Sequence, residues 1–168
     1  GELLDVGQQT VSALGLTGVK KNLIQLLGRL KYRYSFSQNV LKHSLEVAFM
    51  MGNIAAQLGL DRQKAKRAGL FHDLGKAVDH EVEGPHALIG DDILRRAGED
   101  EAVINAVAAH HGETEKTSLL ANLVCICDTL SAARPAARSE TTELYLQRLE
   151  QLEVIGKSIP GVEACYAV

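Results

Sequence analysis

The apolar residues of this chain recur every three or four positions over most of its length, the spacing that lines one face of an α-helix. A glycine or a proline follows most of these stretches, where a helix is expected to end. The pattern predicts helices over residues 2–14, 20–30, 40–58, 61–74, 86–97, 100–111, 118–133 and 140–157. From Gly161 onward the apolar residues occupy alternate positions, which predicts a short strand in the tail.

Polar residues ahead of two of these helices predict their caps. Ser35 or Ser37 could cap the helix that begins near residue 40, and Asp61 could cap the next one. The polar segment 76–85 predicts a loop, which ends in a Gly-Pro turn just before His86.

The composition agrees with an all-α fold in a single domain. The 168 residues are 46% apolar but only 4% aromatic, so the core must consist mainly of Leu, Ala, Val and Ile. Good helix formers dominate, and the β-branched runs that are typical of a sandwich or barrel are scarce. We predict N-terminal helices over 1–30, a helical core over 37–133, a C-terminal helix over 140–157 and a tail over 158–168.

Charge and cysteine usage narrow the class of protein. A net charge of −3 provides no general basic field for a polyanion, so nucleic-acid binding would need local basic groups or another domain. The three cysteines, Cys125, Cys127 and Cys165, form no Cys-x-x-Cys pair, and the first two are expected in the core. Because neither a membrane segment nor a signal peptide is recognisable, we expect a soluble, cytoplasmic chain.

Side chains that commonly bind metals interrupt three of the predicted apolar faces. His43 lies on the inward stripe of its helix, the pair His72-Asp73 closes an apolar segment, and Asp128 interrupts a long apolar run. A buried carboxylate is costly unless a cation or strong donors compensate it. One divalent metal would satisfy all four groups together. The alternative is a buried polar network in which the histidines donate to Asp73 and Asp128.

The order of His43, His72-Asp73 and Asp128 resembles the H…HD…D signature of the HD-domain phosphohydrolases. The run Phe-His-Asp-Leu-Gly-Lys around the central pair is also typical of that family. The resemblance implies an HD-type helical domain in which these four side chains bind one divalent metal. It also implies that Asp73 can bridge to a second ion.

The other histidines extend this resemblance. Some HD proteins with two-metal sites read H…HD…H…HH…D, and His86 and the pair His110-His111 follow that order. We expect His86, His110 and His111 to join a second metal or contact phosphate, with contact to the ligands or the substrate as the alternative for His111. Lys76 matches the family's His-Asp-x-Gly-Lys and could stabilise a phosphoryl group, or could act only as a helix C-terminal cation. His80 lies in an acidic loop, and we expect it to be solvated.

Longer strings narrow the resemblance to the bacterial ribonuclease Y family. They include Leu-Leu-Gly-Arg-Leu-Lys-Tyr-Arg (26–33), Lys-Arg-Ala-Gly-Leu-Phe-His-Asp (66–73), Ala-Ala-His-His-Gly-Glu (108–113) and Asp-Thr-Leu-Ser-Ala-Ala-Arg-Pro (128–135). The similarity implies a metal-dependent endoribonuclease that hydrolyses phosphodiester bonds of single-stranded RNA in messenger turnover, with Asp73 and Lys76 in catalytic roles. Family membership favours manganese or magnesium for activity, as one or two ions, although iron, zinc or nickel could occupy imidazole-rich ligands.

The resemblance also implies segments that are absent from this chain. They are an N-terminal membrane segment, a coiled coil and a KH domain, so we expect the full-length protein to be tethered to the inner face of the membrane. A KH domain would supply most of the RNA affinity, and this chain alone is expected to bind RNA weakly. We expect a homodimer, for which the apolar face of 140–157 and the tail could provide the surface.

The sequence allows more than one interpretation of the possible RNA contacts and of the function. Arg134 and Arg138 could clamp backbone phosphates, or could be surface residues around a proline turn. The aromatic segment 32–36 could offer stacking faces for unpaired bases, or could simply pack. The alternative functions are a nucleotide or cyclic-dinucleotide phosphohydrolase and a non-catalytic HD dimerisation module.

Overall fold

A computed structural model describes residues 1–78, 85–133, 150–151, 153–159 and 161–166. Its elements in chain order are α1 Glu2–Ala13, α2 Lys21–Leu30, β1 Tyr34–Ser35, β2 Gln38–Asn39, α3 Val40–Leu58, α4 Arg62–Phe71, a 3₁₀ turn Leu74–Ala77, α5 His86–Arg96, α6 Glu101–Ala108 and α7 Leu119–Ala133. Residues 150–151 and 153–157 are helical as well. The predicted all-α fold is confirmed.

Helix α3 is the central element of the domain. It packs against α4 along one side and against α7 along another, while α6 contacts both α4 and α7. Helices α1 and α2 form a separate pair that contacts the rest through α3 and the 3₁₀ turn. The largest fully buried side chains include Leu27, Met51, Leu70, Phe71 and Leu94. Truncating one of them to alanine is expected to cost about 2–5 kcal/mol.

The start of α3 differs from the predicted cap. Asn39, rather than Ser35 or Ser37, caps the helix, since its side-chain oxygen accepts a hydrogen bond from the backbone N–H of Lys42 at 3.1 Å. The two serines belong to a β-hairpin instead. The other end is as predicted, because Gly59 ends α3 with a φ of 69°.

The hairpin turns through two residues that are not glycine. Tyr34 pairs with Asn39 and Ser35 with Gln38, so that the loop contains only Phe36 and Ser37. Their φ angles are 49° and 65°, in the left-handed region where a side chain costs roughly 1–2 kcal/mol per residue. Such a turn normally contains Asn-Gly, so the Phe-Ser sequence gives no signal for it.

Helix α4 is shorter than predicted. Asp61 caps it as expected, by accepting from the N–H of Lys64 at 3.1 Å, but the helix ends at Phe71 rather than near Leu74. The chain then tightens, and the N–H of Lys76 donates to the carbonyl of Asp73 at 3.0 Å, a bond to the third residue back.

The C-terminal predictions are answered only in part. The predicted strand does not form within residues 161–166, the part of the tail that the structure describes. The Tyr145 and Leu149 positions of the predicted helix 140–157 lie outside the described residues. No described helix combines the length and the apolar character needed to cross a bilayer.

Candidate metal centre

A first cluster joins α3, the end of α4 and α7. The Nε2 atom of His43 lies 3.2 Å from Nε2 of His72 and 2.9 Å from Oδ1 of Asp128. The third side of this triangle, from His72 Nε2 to Asp128 Oδ1, measures 3.7 Å. His43 and His72 are buried, whereas the Asp128 side chain is 20% exposed and opens toward a cavity. The inward positions predicted for these groups are confirmed.

Hydrogen bonds at the far side of each ring fix the histidine tautomers. His72 Nδ1 donates to the carbonyl of Gly69 at 2.7 Å, because the chain leaves α4 just there. His43 Nδ1 lies 2.9 Å from Ser131 Oγ, and that hydroxyl donates its proton to Glu46 Oε2 at 3.1 Å. Ser131 must therefore accept from His43. In the neutral rings both Nε2 atoms then carry lone pairs that point at each other and at Asp128.

A second cluster forms where α5 begins and where α6 ends. The Nε2 atoms of His86 and His110 lie 3.2 Å apart, and one ligating atom of each of these residues and of His111 falls within 4.8 Å of the others. His110 Nδ1 donates to the carbonyl of Val107 at 2.6 Å, so this Nε2 is again a lone pair in the neutral ring. His110 is buried and His111 is exposed.

Asp73 lies between the two clusters and turns one oxygen toward each. Its Oδ2 is 3.5 Å from His72 Nε2 and 3.9 Å from His43 Nε2. Its Oδ1 is 3.2 Å from His86 Nε2 and 3.8 Å from His110 Nε2. A carboxylate in this position can serve both clusters at once.

The separations between ligating atoms suit a metal. At a typical metal–ligand distance of about 2.1 Å, neighbouring ligands lie about 3.0 Å apart in an octahedral site and about 3.4 Å apart in a tetrahedral one. The 2.9, 3.2 and 3.7 Å sides of the first cluster straddle these values. The two clusters of histidine and carboxylate side chains could therefore each bind a divalent ion.

The ionisation of the two carboxyl groups also favours the binding of a metal ion. Burial raises the pKa of the Asp128 carboxyl, but hydrogen bonding to the His43 and His72 rings, which requires a proton on Nε2 in place of the lone pair, outweighs burial and lowers it. Burial likewise raises the pKa of Asp73, yet the charge of His72, the hydrogen bond from His86 and the ammonium of Lys76 hold it well below its usual range. Both groups are thus carboxylates at neutral pH, and their field favours a cation.

The histidine pKa values respond to this field in opposite ways. Burial lowers the pKa of His72, but the charges of Asp73 and Asp128 outweigh burial and raise it. Burial and the charge of His72 lower the pKa of His110 to about 3, so its Nε2 lone pair is present at neutral pH. Positive charge is required at the first cluster, which either an added proton or a metal ion can supply.

Lys76 and Gly75 follow Asp73 directly and shape its surroundings. The Nζ of Lys76 lies 2.9 Å from Asp73 Oδ2 and also lines the cavity. Gly75 allows the backbone to approach α5, since a Cβ atom there would lie 2.0 Å from the carbonyl oxygen of His86. This close contact is what brings His86 within reach of Asp73.

The cavity above the clusters has a volume of about 650 Å³, within the range of ligand sites. The sequence pattern missed several side chains of its wall, namely Ser35, Gln38, Cys125 and Thr129. Cys125 had been predicted in the core, whereas it is half-buried here; Cys127 is buried as expected. Ser131 could have been noticed, because it is a polar residue three positions after Asp128 on the same apolar helix.

Three residues considered in the sequence analysis cannot be placed relative to the cavity. His80, Arg134 and Arg138 are outside the described residues. All the other predicted ligands belong to the two clusters or lie between them, and all of them except the fully buried His72 line this cavity together with Lys76.

Comparison with known proteins assigns the class. Residues 40–133 match the family model of the HD domain, and the chain belongs to this family. Over 164 residues, 98% of the chain, it is 56% identical to proteins named ribonuclease Y from Geobacillus thermodenitrificans and Bacillus cereus. It is 53% identical over 167 residues to ribonuclease Y of Clostridium novyi. The chain spans about a third of the length of these relatives, and no solved structure matches it.

Proposed function

We propose that this chain is the catalytic HD domain of a metal-dependent endoribonuclease that hydrolyses phosphodiester bonds of single-stranded RNA. The observation that carries the proposal is the convergence of oriented imidazole lone pairs with two carboxylates at the floor of an open cavity. The names of the relatives support RNA as the substrate. The chain covers about a third of those proteins, and we assign most of the RNA affinity and the attachment to the inner membrane face to other segments of the full-length protein.

The ligands divide into two sets. His43, His72, Asp128 and Oδ2 of Asp73 would hold the first ion. The second ion would use Oδ1 of the same aspartate and three histidines, which are His86, His110 and His111. We assign manganese or magnesium to the active protein, and the imidazole-rich second set favours manganese, iron, zinc or nickel over magnesium. When bound, such ions polarise a phosphate oxygen and lower the pKa of water.

The chain's own side chains would orient the substrate and stabilise charge. Lys76 projects from the cavity wall, and its ammonium can reach a non-bridging phosphate oxygen as negative charge develops there. The neighbours of Asp73 favour its carboxylate, so it would be ionised when the ions and the substrate bind. Ser131 and Gly69 keep the first two rings aligned without contacting the substrate.

The test is RNA cleavage by the chain with manganese. A labelled, unstructured oligoribonucleotide should be cut internally and leave 5′-phosphate ends, and Asp73→Asn or Asp128→Asn should reduce cutting to the protein-free level. Asp92→Asn is the matched control, because Asp92 forms an exposed ion pair with Arg96 on α5. Hydrolysis of nucleotides or cyclic dinucleotides without RNA cleavage would contradict the proposal, as would unchanged cleavage by the Asp73 variant.

A further inference from the structure

The tip of the β-hairpin forms part of the rim of the cavity. Phe36 lines the cavity together with His43 and Asp73, and its side chain is 74% exposed. A large aromatic face is thus presented beside the candidate metal centre. Exposed phenylalanine is common on protein surfaces, so its position alone decides nothing.

The backbone conformation indicates that the surrounding structure holds Phe36 at this position. Phe36 and its neighbour Ser37 both adopt positive φ, a conformation that persists when the surrounding structure enforces it and that is concentrated at functional sites. The enforcing contacts lie at the base of the hairpin. Asn39 Nδ2 donates to the carbonyl of Lys31 at 2.7 Å, and the N–H of Val40 donates to the carbonyl of Arg33 at 3.0 Å.

The same contacts join the backbone of the hairpin to the helix that carries a metal ligand. Asn39 ends the hairpin and also caps α3, and His43 follows one helical turn later. No flexible linker therefore separates the aromatic tip from the first cluster. The hairpin and the metal ligand are parts of one continuous segment of regular structure.

We propose that Phe36 stacks on an unpaired base of the nucleotide whose phosphodiester lies over Asp73 and Lys76. This inference rests on the proposed function. With its ions bound, the floor of the cavity would take a phosphate beside Lys76, and its rim offers an aromatic face, so the two together match the two halves of a nucleotide. A base inside a duplex has both faces covered by its neighbours, so the stacking contact selects single strands.

The chain contains no tryptophan, so the fluorescence of a single introduced tryptophan can report RNA binding without a measurement of cleavage. In Phe36→Trp the only indole lies at the hairpin tip, and an unstructured oligoribonucleotide should quench its emission. An oligomer of the same length and charge with abasic positions should quench it far less. Phe49→Trp is the matched control, because Phe49 is 46% exposed on α3 and the described lining of the cavity does not include it.

Activity supplies the second measurement. For Phe36→Ala and Phe36→Leu, kcat/KM on the intact oligomer should fall relative to that on the abasic oligomer by about 5- to 150-fold, the range of one base–aromatic contact. The alanine variant of Phe49 should keep the wild-type ratio. If the wild-type chain cuts neither oligomer, the proposed function fails, while the quenching experiment still tests the stacking.

Three results would overturn the inference. They are equal quenching by intact and abasic oligomers, absence of quenching by either, and an unchanged kcat/KM ratio in both Phe36 variants. A change in the Phe36→Trp emission with protein concentration alone would assign the tip to a contact between protein chains instead.

Discussion

The buried Ser131 and the half-buried Glu46 form a hydrogen-bonded pair in which the serine oxygen is left to accept from the Nδ1 of His43. The pair joins α7 to α3 directly behind the first cluster. It holds the His43 ring in the tautomer that turns an Nε2 lone pair toward Asp128. Metal affinity should therefore depend on a serine that no substrate reaches.

Replacing Ser131 by alanine should lower manganese affinity by about 10- to 100-fold, as is typical when the hydrogen-bond partner of a ligating histidine is removed. Isothermal titration measures this directly. Ser44→Ala is the matched control. Ser44, on α3, is buried like Ser131, but its Oγ has no hydrogen-bond partner among the described residues. Equal affinities for the two variants would refute a role for Ser131 in positioning His43.

Gly75→Ala should weaken the second cluster selectively. A Cβ at this position would lie 2.0 Å from the backbone oxygen of His86, so the start of α5 must move away from Asp73. We expect the number of manganese ions per chain to fall while the first site stays filled, and stability to fall by about 1–3 kcal/mol.

Gly90→Ala is the control for that change. Its added Cβ would lie 3.0 Å from Cγ1 of Val107, a side chain that can shift slightly, and 3.8 Å from the backbone N of Gly75, which is an ordinary contact distance. Metal stoichiometry is measured by elemental analysis after dialysis. If both variants bind as many ions as the wild type, the close approach of Gly75 does not position His86.

Lys76→Met should separate binding from catalysis. Removing an ammonium that lies 2.9 Å from Asp73 Oδ2 leaves the site more negative, so manganese should bind at least as tightly as before. The rate constant kcat for RNA cleavage should fall by about 100- to 1000-fold if Lys76 stabilises charge in the transition state. A normal kcat would leave Lys76 only the role of a cation beside a helix end.

The positions of the three residues of the first cluster, and of Asp73 beside them, were predictable because these residues interrupt apolar patterns. A histidine or aspartate on the inward face of a helix is costly, and that cost identifies His43 and Asp128 without a structure. Ser131 and Glu46, which lie behind the His43 ring, were harder to predict. Glu46 lies on a helix in which many polar residues face solvent, and its link to Ser131 is a contact between elements 85 positions apart.

The local geometry around Asp73 and Phe36 could not be predicted from periodicity. Helical spacing runs on through His72 and does not reveal that the chain tightens into a 3₁₀ turn, the change that directs the Asp73 oxygens to opposite sides. Likewise, Phe-Ser is not a sequence typical of a two-residue hairpin turn. Tertiary contacts decide both conformations.

Cys127 provides a test of packing that is independent of the metal. Burial raises the pKa of its thiol to about 11, from an ordinary value near 9. Since the folded-state pKa is raised, this thiol stabilises the fold fully below about pH 9, and that contribution is lost as the pH rises toward 11.

In a chain with Cys125 and Cys165 both changed to alanine, iodoacetamide should label Cys127 slowly at pH 8. The labelling rate should rise steeply until about pH 11, and in urea the same thiol should react with an ordinary profile. Rapid labelling of the folded chain at pH 8 would show that α7 is not packed as described.

We infer that imidazoles and carboxylates from separate helices meet because they bind divalent ions. An anomalous difference map at the manganese edge, from crystals equilibrated with manganese, tests it most directly. We predict one peak bonded to His43 Nε2, His72 Nε2 and Asp128 Oδ1, and a second beyond Asp73 Oδ1 toward His86. A map without either peak, in which His43 still lies in direct hydrogen-bond contact with Asp128, would contradict the account.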